Sequence, residues 1–178
     1  MNTGQMLLAS GALILLGTTV ITVNRMYSQH GTILRKTEVG VYAVSLATSV
    51  IEEASGQNFD EATVNSVVTA ASSCTASTSF GPDASETGSS AATPTDNFDD
   101  FDDYHNLTWG VNVAGVDTFT VKAKVYYVND TTPDVTTTTK TFYKRIDVSV
   151  YSRSMVDTTY GRPDTIKMSY VFSYFNFR

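Results

Sequence analysis

The first 24 residues, MNTGQMLLASGALILLGTTVITVN, contain no charged side chain; the first is Arg25. That excludes an ordinary soluble N-terminus, because a helix over an uncharged apolar run of this length reaches about 30–36 Å, enough to cross a bilayer core of about 30 Å. Lysine and arginine are also missing from residues 37–121, and with a net charge of −6 this leaves no clustered basic face for nucleic acid. Cysteine occurs once, as Cys74, so no intramolecular disulfide can staple the fold. The two histidines, His30 and His105, are too few and too far apart in sequence to suggest zinc. No phosphate-cradling glycine loop or nucleophile elbow occurs. A lone thiol with no histidine and acid arranged around it reads as incidental, although a disulfide between chains stays open.

The apolar run lacks the basic n-region and small-residue cut site of a secretory signal, so it is expected to be retained. Beyond Arg25 the chain runs to Gly56 without proline. Leu34, Val41, Val44, Thr48 and Ile51 recur at spacings of three, four and seven, which predicts that the apolar helix continues as an amphipathic one. Gly56 offers a left-handed stop. The expected helix covers residues 1–55, with residues 1–24 apolar, and measures about 75–80 Å.

A helix apolar in its first half and one-sided in its second resembles the N-terminal helix of type IV pilins and type II secretion pseudopilins. The resemblance covers about a third of the chain and lies in architecture, since the GFTLIE-like junction, the basic leader and the fifth-position glutamate of that family are absent. Two alignments stand open. With Met1 as the mature start, Gln5 occupies the glutamate position. With cleavage by a prepilin peptidase after Gly4, the chain begins QMLLA, similar to the Gly-Gln junction of some archaeal-type pilins, and Ala9 takes that position. A plain signal anchor is the bland reading of the same run. The resemblance implies a homo-oligomeric helical filament at the cell surface, drawn from a cytoplasmic-membrane pool, and served by an assembly platform and an assembly ATPase. Basic residues flank only the C-terminal end of the span, at Arg25, Arg35 and Lys36, and by charge bias alone that end would stay in the cytoplasm, opposite to what the resemblance implies.

The rest of the chain divides into a connecting region, residues 56–106, and a C-terminal head, residues 107–178. In the first, Phe59, Ala62, Val67 and Ala70 suggest a short second helix, and SSCTASTSFGPDASETGSSAATPTDN reads as a long loop. From Leu107 the apolar period becomes two: Leu107 to Val113, Phe119 to Tyr127, Ile146 to Val150 and Ile166 to Tyr174 read as strands with one buried face. Turn residues in NDTTPD and DTTYGRPD separate the later strands. The expected fold class is α+β: a long N-terminal helix packed on an antiparallel sheet of about four strands, because a one-layer sheet needs a cover for its apolar face. The N-x-T patterns at Asn106 and Asn129 read as chance matches.

One constellation could carry chemistry, the run DNFDDFDDYHN. Asp99, Asp100, Asp102 and Asp103 are candidate calcium ligands, since crowded carboxylates repel and a hard cation takes six to eight oxygens. Some pseudopilins carry a calcium-stabilised head. The spacing does not match an EF-hand loop. Against the metal stands a structural turn in which Phe98, Phe101 and Tyr104 pack inward while the aspartates cap and face water. A hydrolase using two of these acids is the remote alternative, with no motif for positioning a substrate beside them. The function expected is a non-enzymatic filament subunit with no cofactor other than, at most, calcium. The alternative is a monomeric, signal-anchored binding or accessory protein that recognises a ligand through Tyr170, Phe172, Tyr174, Phe175 and Phe177.

Overall fold

A computed structural model describes residues 2–86, 94–157 and 162–174. The chain forms two compact units, residues 1–38 and 39–178. Helix α1, Thr3–Ser55, supplies the described first unit apart from Asn2 and begins the second.

In the first unit every described side chain is exposed, including Leu7, Leu8, Leu13 and Leu16. Ser10, Thr18, Thr19, Thr22, Thr32 and Thr37 turn their hydroxyls back onto carbonyls three or four residues earlier. Those donors are thereby satisfied within the helix, which a non-aqueous surrounding would require.

In the second unit the helix buries Val39, Ala43, Ala47, Val50 and Ala54 against the sheet. This differs from the face expected from the larger side chains. Leu34, Val41 and Val44 are exposed, while Thr48 and Ile51 sit at the margin, with Thr48 Oγ1 3.8 Å from Met168 Sδ. Alanine prevails because its short side chain lets the helix backbone come close to the sheet, and the bulkier Leu46 and Ile51 then close the edges. Gly56 does not adopt the left-handed conformation; its N–H bonds Glu52 O at 3.2 Å and Glu53 O at 3.1 Å, continuing the turn.

The strands are β1 (Thr108–Val113), β2 (Asp117–Val128), β3 (Thr136–Thr137), β4 (Tyr143–Ser152), β5 (Val156–Asp157), β6 (Arg162–Pro163) and β7 (Ile166–Ser173). The main sheet runs β1-β2-β4-β7, every pair antiparallel, with β3 paired to the end of β2 and β5-β6 forming a separate ribbon. This is the expected α+β meander. Gly115, at φ 80°, makes the β1–β2 turn, a conformation that disfavours a side chain. Phe119, Val121, Ala123 and Val125 on β2 and Ile146, Val148 and Val150 on β4 form the inner layer, while Lys122, Lys124, Arg145 and Asp147 alternate outward. The short second helix shrinks to α2, Glu61–Val64, with Val67 and Ala70 exposed. Four residues make a single turn, held by the capping box of Asp60 and Thr63.

Candidate functional site

The Asp-rich turn is built from its aromatic residues outward. Phe98, Phe101 and Tyr104 all enter the core, as their spacing predicts, with Phe101 and Tyr104 fully buried. Asn58, just past the end of α1, clamps the turn: its N–H and Nδ2 donate to Asp99 O at 3.1 and 3.0 Å, and its carbonyl accepts from Phe101 N at 2.9 Å. Sinking the aromatics draws the neighbouring acids down. Asp100, Asp102 and Asp103 are buried, not water-facing as the sequence suggested.

The four predicted ligands separate into different duties. Asp100 Oδ1 accepts from the N–H groups of Asp102 and Asp103 at 2.7 and 3.1 Å, a local cap. Asp103 Oδ2 accepts from Asp99 and Asp100 N–H at 3.1 and 3.3 Å. Asp102 turns away to bond the ammonium of Lys144. Asp99 Oδ1 is buried without a hydrogen-bond partner among the described residues. Asp99 and Asp103 instead group with Glu86, their carboxylate oxygens lying within 4.8 Å of one another, and Glu61 and Asp83 form a second, more exposed group with the same Glu86. Glu86, Asp99 and Asp103 therefore suit a hard cation, because all the donors are oxygens and one lacks any other partner.

Sequence reasoning missed the other half of the site, Lys144 and Asp60. Lys144 occupies an inward position of β4, in phase with Ile146, Val148 and Val150, and its side chain is fully buried. Its Nζ donates to Asp60 Oδ2 at 2.7 Å, to Phe59 O at 2.8 Å and to Asp102 Oδ1. The rings of Phe59, Phe80 and Tyr127 surround it, with centroids 4.7, 5.0 and 5.6 Å from Nζ. Asp60, also fully buried, is fixed by α2 and by Thr75, whose N–H donates at 2.9 Å and whose hydroxyl donates at 3.1 Å. The readable signal was a lysine at an inward phase of an amphipathic strand, and no sequence spacing points to its partners.

The acids titrate differently. Burial pulls Asp60 upward, yet the charge of Lys144 and the hydrogen bonds from Lys144, Thr75 and Ala62 outweigh it and hold the carboxyl below its usual range. Burial, opposed by Lys144, leaves Asp102 raised to about 6. Burial and then the charge of Asp102 push Asp100 up to about 8, and burial with the charge of Asp100 pushes Asp103 up to about 7.

The remaining candidates fall elsewhere. Gly4 and Gln5 lie in the first turn of α1, and a Cβ at Gly4 would meet nothing within 4 Å. Cys74 is buried with Phe59, Val68 and Tyr127, and burial pushes its thiol up to about 11. Phe172 packs with Phe59 and Phe101, Tyr174 packs with Phe59 and Phe142, and the Tyr174 hydroxyl accepts from Val68 N–H at 3.2 Å, so both rings lie half-buried against the core. Tyr170 is exposed at the edge, and Phe175 and Phe177 lie outside the described residues. A recess of ≈ 680 Å³ is lined by Asp117, Thr118, Thr120, Tyr151, Ser152, Arg153 and Val156, with none of the Asp-rich acids among them.

No protein-family model matches the chain, and comparison with curated proteins and with solved structures returns no match.

Proposed function

We propose that the chain is a structural, non-enzymatic subunit of a pilus-like filament, held in the cytoplasmic membrane by residues 1–24 and then packed through them into the filament core. One observation carries this reading. The N-terminal part of α1 is long and apolar enough to span a bilayer, and none of that apolar window is buried within the chain. Lipid or other copies of the same helix are the covers that suit it. Gly11 and Gly17 have open space where a Cβ would stand, and small residues of this kind suit close approach of neighbouring helices. Moving from lipid to helix neighbours gains little hydrophobic burial, so assembly would be driven by packing.

In this reading the head lies outside the membrane on the filament surface, an assembly platform, an ATPase and a prepilin peptidase acting at Gly4-Gln5 are the partners, and nucleic acid is not the primary ligand. Calcium, if bound, would be held by Glu86, Asp99 and Asp103, where it would neutralise crowded carboxylates and tie residue 86 to the Asp-rich turn. Its test is the melting temperature in calcium against chelator: an upward shift lost in Asp99→Asn is expected, and an unchanged melt removes the ion from the account.

The filament reading is tested by Leu13→Asp and Leu16→Asp, each placing a carboxylate in the apolar run at a cost of about 2.5–3.5 kcal/mol for insertion at mid-bilayer. Loss of filaments with a folded head is expected. Normal filaments from either variant would count against the proposal.

A further inference from the structure

Lys144, Asp60 and Asp102 form a closed group with more acid than base, seated among aromatic rings. An ordinary buried ion pair gains little over apolar replacements, because desolvation consumes most of the attraction. This group has an additional property: the three components of an amide-forming reaction already touch. A primary amine bonds a carboxyl oxygen of Asp102. The same amine bonds Asp60 at 2.7 Å. Phe59, Phe80 and Tyr127 wall the amine, and the side chains of Lys144 and Asp60 are 0% exposed and that of Asp102 4%.

We propose that Lys144 and Asp102 join through an intramolecular isopeptide bond, with Asp60 as the proton acceptor. The ammonium of Lys144 passes one proton to the Asp60 carboxylate. The freed amine attacks Cγ of the un-ionised Asp102 carboxylic acid and forms the C–N bond. The Cγ–OH bond breaks, and the hydroxyl leaves with a second amine proton as water. The products are one amide, one water and a protonated Asp60, so atoms and charge balance and no oxidant or co-reactant is needed.

The two acids suit opposite parts. Asp60 is anchored beside the amine by the N–H groups of Ala62 and Thr75 and by the Thr75 hydroxyl, where it can take a proton, whereas Asp102 presents its carboxyl to the same amine from the turn before β1. The reaction replaces a buried ammonium and a buried carboxylate by neutral groups, which a low-dielectric pocket favours. Fixing amine and carboxyl in contact corresponds to an effective molarity of about 10⁵–10⁸ M for well-oriented groups, which lowers the barrier to amide formation. The bond would tie β4 to the turn before β1 across 42 residues of sequence. The proposal is independent of the filament reading.

The test is mass spectrometry of the full chain purified from membranes, followed by proteolysis. A head lighter than its sequence mass by one water is expected, with one fragment carrying both the Lys144 and the Asp102 sequences. Asp60→Asn and Lys144→Arg should each restore the full mass and release two separate fragments. A folded wild-type chain at its full sequence mass overturns the proposal whatever the variants do. Loss of water that persists in Lys144→Arg also overturns it, because the loss would then lie elsewhere, as in a cyclic imide.

Discussion

Replacing Ala47 by leucine would probe the packing of α1 on the sheet at its tightest point. Ala47 is 0% exposed and stands midway in the stripe Val39, Ala43, Ala47, Val50, Ala54, so three added carbons have no free volume to enter. Overpacking of this kind costs about 1–3 kcal/mol, through off-rotamer side chains and displaced backbone. For a unit of this size each kcal/mol lowers the melting temperature by about 3–4 °C, so Ala47→Leu should melt about 3–12 °C lower. Val41→Ala, at a residue 63% exposed, serves as the control and should stay within about 0.5 kcal/mol of wild type. Thermal and urea unfolding of the full chain in detergent, followed by near-ultraviolet circular dichroism from the head's aromatics, would report both. A neutral Ala47→Leu together with a destabilising Val41→Ala would refute the alanine face and restore the face of larger side chains.

Other perturbations address the turn and the core. Phe101→Ala removes a fully buried ring from the centre of the Asp-rich turn and should cost about 3–5 kcal/mol, read as a lower urea midpoint. Asp100 and Asp103 have folded pKa values raised to about 8 and about 7 by burial, against about 3.9 unfolded, so the folded head binds more protons than the unfolded chain between those limits. Their contribution is therefore fully present below about pH 4 and is lost as pH rises through about 7–8. Asp100→Asn keeps an oxygen for the Asp102 and Asp103 N–H groups and removes the charge, so stability near neutral pH should rise and its decline with pH should flatten; a steeper decline would contradict this. Cys74, 2% exposed with its thiol pushed up to about 11, should resist a maleimide until the head unfolds, and rapid labelling of the native chain would show its burial to be wrong.

What the sequence discloses depends on how each structure is encoded. The strands are legible because a period of two survives in Phe119, Val121, Ala123 and Val125 and in Ile146, Val148 and Val150, where each side chain reports its own face. The inward course of Phe98, Phe101 and Tyr104 is legible for a similar reason. The helix face is misread because alanine carries little hydrophobic signal, so the exposed Leu34, Val41 and Val44 outweigh Ala43 and Ala47 in any pattern. Exposure of those residues in a single chain leaves them available to neighbours. The Lys144 group is hidden more deeply. Its acids come from positions 84 and 42 residues away, and only the tertiary fold brings them to one amine. The Asp-rich run reads as a surface feature because charge usually faces water; the energy of burying its aromatics, together with the lysine waiting beneath, reverses that expectation.

The orientation of the head bears on the same account. Protease added to intact cells should digest the head at its exposed loops if it lies outside the membrane, whereas full protection would favour the orientation that Arg25, Arg35 and Lys36 suggest by charge alone. The most direct measurement is to shear filaments from native cells, image them by electron microscopy, and identify the repeating subunit and its N-terminal peptide by mass spectrometry. The account predicts filaments built from this chain, beginning at Met1 or at Gln5. Recovery of the chain solely from the membrane fraction, as a monomer, would contradict it and leave an anchored binding protein in its place.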